Sequence, residues 1–133
     1  MKTDIILAGV GGQGILSIAA SLGAAALNEN YYLKQAETHG MSQRGGAVVS
    51  HLRIADNPIF SDLIPMGKAD LILSVEPMEA LRYLPYLAKN GSLVTNTARF
   101  ENIRDYPDLE KAYSDLIGKI NLIRIDADKT ARE

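Results

Sequence analysis

The segment that decides the fold of this chain is Ile5-Ile6-Leu7-Ala8-Gly9-Val10-Gly11-Gly12-Gln13-Gly14-Ile15-Leu16. Its first four residues are apolar and end at a glycine, which is typical of a short strand buried on both faces of a parallel sheet. The glycines at 9, 11 and 14 fit the dinucleotide pattern, in which absent side chains allow a tight turn, a close ligand and close helix packing. Apolar residues then recur at helical spacing to about Asn28. The segment therefore predicts a strand, a glycine turn and a helix.

Strand and helix patterns alternate along the rest of the chain. Strands are predicted at Tyr31 to Ala36, Ala47 to Ile54, Asp70 to Ser74, Ser92 to Thr95 and Asn121 to Ile125, and helices after Pro77 and from Asp108 to Ile117. This alternation predicts an α/β fold with right-handed crossovers. We expect one Rossmann-like, three-layer domain over residues 1–133, with a mostly parallel sheet.

The strand predicted over Ala47 to Ile54 differs from the others because its apolar and polar residues alternate more regularly. Such alternation indicates a half-exposed strand. The turn pattern Ala55-Asp56-Asn57-Pro58 follows it. We therefore expect a β-hairpin near residues 47–61, with Ile59-Phe60-Ser61 as its second strand.

The last residues, 126–133, read as a helix that begins with acidic caps and stops within two turns. The chain is thus expected to end within an element, so that its last strand lacks a covering helix. This arrangement leaves apolar surface for a partner to cover.

A polar loop follows the second predicted strand: Glu37-Thr38-His39-Gly40-Met41-Ser42-Gln43-Arg44-Gly45-Gly46. Parallel sheets bind ligands beyond the carboxyl ends of their strands, so this loop, the glycine turn, Glu76 and Asn96 should gather at one edge. The first helix would direct free amides and a partial positive charge at an anion there. The candidates for ligand or interface binding are Gly11, Gly12, Gln13, Gly14, His39, Ser42, Gln43, Arg44, Gly45, Glu76 and Asn96.

Each of these features also has a purely structural interpretation. The glycine turn can simply pack against its own helix, and Glu37 can either hold a ribose hydroxyl or form an ion pair within its loop. Arg44 can bind a phosphate or carboxylate bidentately, or bond loop carbonyls. His39 can carry a proton or fix a turn, and Glu76 can do no more than cap the helix that begins at Pro77.

Composition argues against several classes of function. The formal net charge is −2 and the basic residues are scattered, so we expect no nucleic-acid partner. No apolar run approaches the roughly 20 residues that cross a bilayer, and the first residues do not form a signal peptide, so we expect a cytoplasmic protein without membrane contact. There are no cysteines, which excludes disulfides, thiol nucleophiles and thiolate-bound iron–sulfur clusters. His39 and His51 are too far apart for a local metal motif, so no metal site is expected, and His51 is interpreted as structural. No residue is singled out as catalytic.

Three stretches together resemble the gamma-type domain of 2-oxoacid:ferredoxin oxidoreductases, and within that family its indolepyruvate branch. They are residues 9–16, 37–46 and 67–83, and the most specific part is His39-Gly40-Met41-Ser42-Gln43-Arg44. The resemblance covers nearly the whole chain. Family members continue into further helical sequence, which implies that this chain lacks its C-terminal helical segment.

The resemblance implies a subunit that is inactive when isolated. In this family a larger catalytic alpha subunit holds thiamine diphosphate and the iron–sulfur clusters, decarboxylates an arylpyruvate or related 2-oxoacid, passes electrons to ferredoxin and yields an acyl-coenzyme A. The chain itself would bind no cofactor alone. It would pack on the catalytic subunit and offer residues to a shared cleft for coenzyme A or the 2-oxoacid.

Two other functions stay open at this point. The glycine pattern also suits a free-standing NAD(P)-binding Rossmann domain, although the chain has no second domain to hold a substrate over a nicotinamide ring. A purely structural adaptor that binds no ligand would share the fold and the partner.

Overall fold

A computed structural model describes residues 1–39, 46–101 and 104–132, with His39 described by its backbone. The elements in chain order are β1 Lys2–Val10, α1 Ile15–Asn28, β2 Tyr32–His39, β3 Ala47–Ala55, β4 Ala69–Ser74, α2 Pro77–Arg82, β5 Leu87–Asn96, α3 Leu109–Leu116, β6 Asn121–Ile125 and α4 Ala127–Arg132. A 3₁₀ turn, Leu84–Tyr86, connects α2 to β5.

The strands form one six-stranded sheet in the order β2-β3-β1-β4-β5-β6. β1, β4, β5 and β6 are parallel neighbours, while β3 runs antiparallel to both β1 and β2. Only β3 therefore runs against the common direction, and the predicted mostly parallel sheet is confirmed. α1 packs on one face of the sheet, and α2 and α3 pack on the other, as the predicted three layers require.

β1 is the central strand that the apolar run predicted. Ile5 and Leu7 pack on the α1 side, and Ile6 packs into the core under α2 and α3. All three side chains are buried. Each contributes about 1.5–3 kcal/mol through the apolar surface that it removes from water, which explains why both faces of this strand carry large aliphatic residues.

The predicted hairpin near residues 47–61 is wrong. β3 pairs with β2 along one edge and with β1 along the other, so neither edge is left for a further strand. Residues 59–61 accordingly form no strand. β3 is also largely buried rather than half exposed, because it lies inside the sheet.

β5 begins at Leu87, earlier than the predicted start at Ser92, because the chain leaves the 3₁₀ turn directly into the sheet. Its pairing with β4 shifts register between Ala69 and Leu71. Gly91 lies so close to β4 that a Cβ there would be 2.7 Å from the Ala69 carbonyl oxygen. A glycine is therefore needed where the two backbones approach.

Candidate functional site

The glycine turn, residues 11–14, joins the end of β1 to α1 and is closed by Gln13. The Gln13 side-chain oxygen accepts a hydrogen bond from the Val10 N–H at 2.9 Å, and the Gln13 N–H donates to the Val10 carbonyl at 3.2 Å. Gly12 and Gly14 have φ values of 94° and 85°, in the left-handed region that favours glycine. No atom lies within 4 Å of the positions that their Cβ atoms would take. The outer side of the turn is therefore open.

The N-terminus of α1 faces this open side. Gly14 is its N-cap residue and supplies no side-chain hydrogen bond. The first amides of a helix have no acceptor within the helix, and they carry the positive end of the helix dipole. The arrangement can hold an anion through backbone N–H groups alone.

Gly9 has a different role from the other glycines of the motif. A Cβ at this position would lie 2.6 Å from Val75 Cγ2 and 2.9 Å from Ile15 Cδ1. Its absence lets α1 sit close to the ends of β1 and β4. The motif thus combines close helix packing at Gly9 with an open turn at Gly12 and Gly14.

The polar loop starts and ends beside this turn. His39 is the last residue of β2 and pairs with Val48 of β3, and the Gly11 N–H donates to the Gly46 carbonyl at 2.8 Å. At the base of the loop, Glu37 accepts a hydrogen bond from the Gln35 amide at 2.6 Å. The His39 side chain and the candidates Ser42, Gln43, Arg44 and Gly45 lie outside the described residues. Both ends of the loop therefore share one sheet edge with the glycine turn.

Glu76 follows β4 and is a fully buried N-cap of α2. Its Oε1 accepts from the N–H groups of Met78 and Glu79, and its Oε2 accepts from the Phe100 N–H at 2.9 Å and the Tyr106 phenol at 2.6 Å. A carboxylate has about four acceptor positions, so internal donors fill them all. The capping role that the sequence left as an alternative is confirmed, and a ligand would have to displace one of these donors.

Tyr106 is a partner of this site that sequence reasoning missed. Burial and the hydrogen bond to the Glu76 carboxylate raise the pKa of its phenol, so Tyr106 stays a donor. No local pattern marks a tyrosine as the partner of a residue thirty positions earlier.

Asn96 ends β5 and joins three segments at the same edge. Its Nδ2 donates to the Val75 carbonyl at 3.3 Å, and its Oδ1 accepts from the Ala127 N–H at 3.0 Å. The Val75 N–H in turn donates to the Ala8 carbonyl of β1 at 3.0 Å. The carboxyl ends of β1, β4 and β5 are thereby linked, which brings Glu76, Asn96 and the glycine turn to one edge as predicted.

His51 lies within β3, away from this edge, and its contacts support the structural role predicted for it. Its Nδ1 accepts from the Ile64 N–H at 3.0 Å, and its ring meets the Tyr86 ring edge-on at 5.6 Å between centroids. Burial lowers the pKa of the imidazole, an effect that Arg53 reinforces and Asp62 opposes.

Among the described side chains of residues 1–38, 46–101 and 104–132, no three His, Cys, Asp or Glu residues are grouped closely enough to hold a metal ion. In the same ranges, no helix has the length and apolar character needed to cross a membrane.

Comparison with known sequences shows to which protein family the chain belongs. Residues 4–133 match the model of the pyruvate ferredoxin/flavodoxin oxidoreductase family. The chain belongs to this family. It is a gamma-type domain of a 2-oxoacid:ferredoxin oxidoreductase, as the three stretches of sequence predicted, and not a free-standing NAD(P)-binding domain.

Relatives of this gamma-type domain carry different substrate names. It is 42% identical to the indolepyruvate oxidoreductase subunit IorB of Pyrococcus horikoshii, over 98% of this chain and 68% of the relative. It is 29% identical to the 2-oxoglutarate synthase subunit KorC of Methanothermobacter marburgensis, over 100% of this chain and 68% of the relative. The gamma-type domain thus spans about two thirds of these relatives.

A solved structure shows the same fold at lower identity. The pyruvate oxidoreductase subunit PORC of Thermotoga maritima superposes with a TM-score of 0.69 at 20% identity, over 95% of this chain and 62% of that one. At this identity the likeness concerns the fold of the gamma-type domain.

Proposed function

We propose that this gamma-type domain belongs to the non-cluster-binding subunit of an indolepyruvate-type ferredoxin oxidoreductase. The reaction is the oxidative decarboxylation of an arylpyruvate to an acyl-coenzyme A, with ferredoxin as the electron acceptor. The observation that carries this proposal is the 42% identity to the relative named for indolepyruvate, against 29% to the relative named for 2-oxoglutarate.

In this proposal the partner subunit, and not this chain, binds the cofactors of the reaction. Iron–sulfur clusters are held mainly by cysteine thiolates, and this chain contains no cysteine. The residues present therefore do not fit a cluster. We assign the clusters and thiamine diphosphate to a catalytic alpha subunit, and we expect the isolated chain to be inactive.

The contribution of this chain is a binding surface at the carboxyl edge of its sheet. The open turn at Gly12 and Gly14 and the uncapped N-terminus of α1 suit a phosphate group, such as those of coenzyme A. Arg44 adds a guanidinium that can bind a phosphate or carboxylate through two parallel hydrogen bonds. We propose that the catalytic subunit completes this cleft, and that His39, Ser42, Gln43 and Gly45 line it.

Reconstitution with the catalytic partner tests the function. The purified partner is assayed for ferredoxin reduction with indolepyruvate and coenzyme A, with and without this chain. We expect activity to depend on the chain, and indolepyruvate to be used in preference to 2-oxoglutarate. Full activity without the chain, together with separate elution of the two proteins from a sizing column, would contradict the proposal.

A cytoplasmic location without nucleic-acid binding is part of the same proposal. The expected absence of nucleic-acid binding rests on the scattered basic residues and the small net charge of −2. The cytoplasmic location rests on the sequence having no apolar run of the roughly 20 residues that cross a bilayer. Fractionation of the native cell, followed by detection of the chain together with its partner, is the measurement that checks it.

A further inference from the structure

Among the residues that the structure describes, α1 covers only half of the width of the sheet face on which it packs. α1 packs against β1, β2 and β3. Across β4, β5 and β6 the same face presents a group of apolar side chains that we call the open half-sheet. Its members are Leu71, Leu73, Val94, Ile123 and Ile125.

Strand alternation defines this group. Leu71 and Leu73 pack at the margin of the core under α1. Leu93 and Leu122 belong to the core on the opposite face, so their neighbours Val94 and Ile123 point toward the α1 side.

The open half-sheet is continuous and strongly apolar. Leu73 is paired with Val94, and Val94 with Ile123, so that three aliphatic side chains lie in one row across three strands. Ile123 is 48% exposed and Ile125 is 43% exposed. The one charged residue of β6, Arg124, instead stacks on Tyr113, which is buried in the core of the opposite face. β6 therefore contributes no charged side chain to the open half-sheet.

α1 shares this character. None of its 14 residues is charged, although a surface helix usually carries charged side chains on its solvent face. Its exposed side includes Leu16 and Leu27, with Ala20 and Ala24 between them. Small residues at this spacing let a second helix approach closely.

The dimensions fit one helix. Strands lie about 4.8 Å apart, so the span from β4 to β6 is about 10 Å, close to the diameter of a helix and to the usual spacing of packed helices. The opposite face already carries two helices, α2 and α3. A single helix beside α1 would cover the open half-sheet.

We propose that the open half-sheet docks an amphipathic helix from the part of IorB-type sequence that lies outside the present match. The match spans 68% of the Pyrococcus relative, so about a third of that protein is left to supply such a helix. The proposal rests on family membership and on this surface. It is independent of the reaction proposed above, because its test measures burial and not turnover.

The absence of cysteine allows a direct test by thiol labelling. Ile123→Cys places one thiol on the open half-sheet, and Ile117→Cys places one after α3 at a site that is 69% exposed. Each variant is prepared as the present chain and as a fusion that adds the unmatched part of the Pyrococcus relative in its natural order. We expect labelling at position 123 to slow at least about tenfold in the fusion, and labelling at position 117 to change little.

Equal labelling rates at position 123 in the two forms would overturn the proposal. If labelling at position 123 slows in the unfused chain alone, and slows further as the protein concentration rises, a second copy of the chain covers the surface. That result would also overturn the proposal. If position 123 is protected from labelling only when the catalytic partner is present, that subunit covers the surface. This result would likewise overturn the proposal. If Ile123→Cys does not fold, Val94→Cys probes the same row by the same comparison.

Discussion

The phenol of Tyr106 donates a hydrogen bond of 2.6 Å to the buried carboxylate of Glu76, thirty residues earlier in the chain. This bond fixes the segment before α3 to the N-cap of α2. Two distant parts of the chain thereby hold the carboxyl edge of β4 in place, and the stability of that edge depends on donors that belong to another element.

Tyr106→Phe should lower the free energy of unfolding by about 1–2 kcal/mol, because Glu76 Oε2 loses one of its two donors in a buried site. Urea unfolding measures the change. Tyr32→Phe, at a half-exposed position of the edge strand β2, is the matched control and should stay within about 0.5 kcal/mol of the parent. Equal effects of the two substitutions would show that the hydrogen bond contributes no stability.

Gly9→Ala should destabilise the fold by about 1–3 kcal/mol, because its Cβ would meet Val75 Cγ2 at 2.6 Å and force a shift of packed groups. Val75→Ala removes the atom in the way. In a double-mutant cycle the pair should therefore cost less than the sum of the two single changes. Strict additivity would contradict the overpacking explanation.

Stability should fall as the pH is lowered below about 6.5, the unperturbed pKa of histidine. The folded state lowers the pKa of His51 through burial, so the unfolded chain takes up a proton there that the folded chain does not. The stability that His51 contributes is fully present above its pKa in the unfolded chain. It is lost as the pH falls toward its lower pKa in the folded protein. Its slope cannot exceed about 1.4 kcal/mol per pH unit for one proton.

Urea unfolding between pH 8 and pH 5 measures this dependence. His51→Gln retains an oxygen that can accept from the Ile64 N–H but does not titrate, so it should flatten the profile. His39 remains in both proteins and serves as an internal reference. An unchanged profile in His51→Gln would assign the pH dependence to other groups.

Arg44→Ala should raise the Michaelis constant for coenzyme A or the 2-oxoacid about ten- to a hundredfold in the reconstituted enzyme, since a charge-assisted hydrogen bond is lost. Arg44→Lys keeps the positive charge but cannot form two parallel hydrogen bonds, so its Michaelis constant should lie between those of the parent and of Arg44→Ala. Steady-state kinetics with each substrate varied in turn gives the values. Normal assembly with unchanged constants would favour a purely structural adaptor.

The sequence predicted those strands and helices whose residue pattern lies within one short segment of the chain. The glycines after β1 and the helical spacing from Ile15 gave the first strand, turn and helix, and Asn121 to Ile125 was predicted with its observed bounds. Pro77 also occupies the first helical turn, as expected. These features depend on backbone preferences and periodicity, which a single stretch of chain contains.

Strand order and the partners of the site could not be read in this way. The alternating pattern of β3 suggested an exposed hairpin, yet its position between β2 and β1 follows from pairing with residues far along the chain. Glu76 similarly draws two of its four donors from Phe100 and Tyr106. Both outcomes depend on contacts between distant segments, for which a local pattern carries no signal.

The central position of β1 has a consequence during synthesis. This strand leaves the ribosome before its neighbours β3 and β4, which begin only at Ala47 and Ala69. At about 5–20 residues per second, translation needs several seconds to supply both. During that interval the aliphatic segment Ile5-Ile6-Leu7-Ala8 has no sheet partner, so the nascent chain presents a site where chaperones that recognise extended apolar segments can bind.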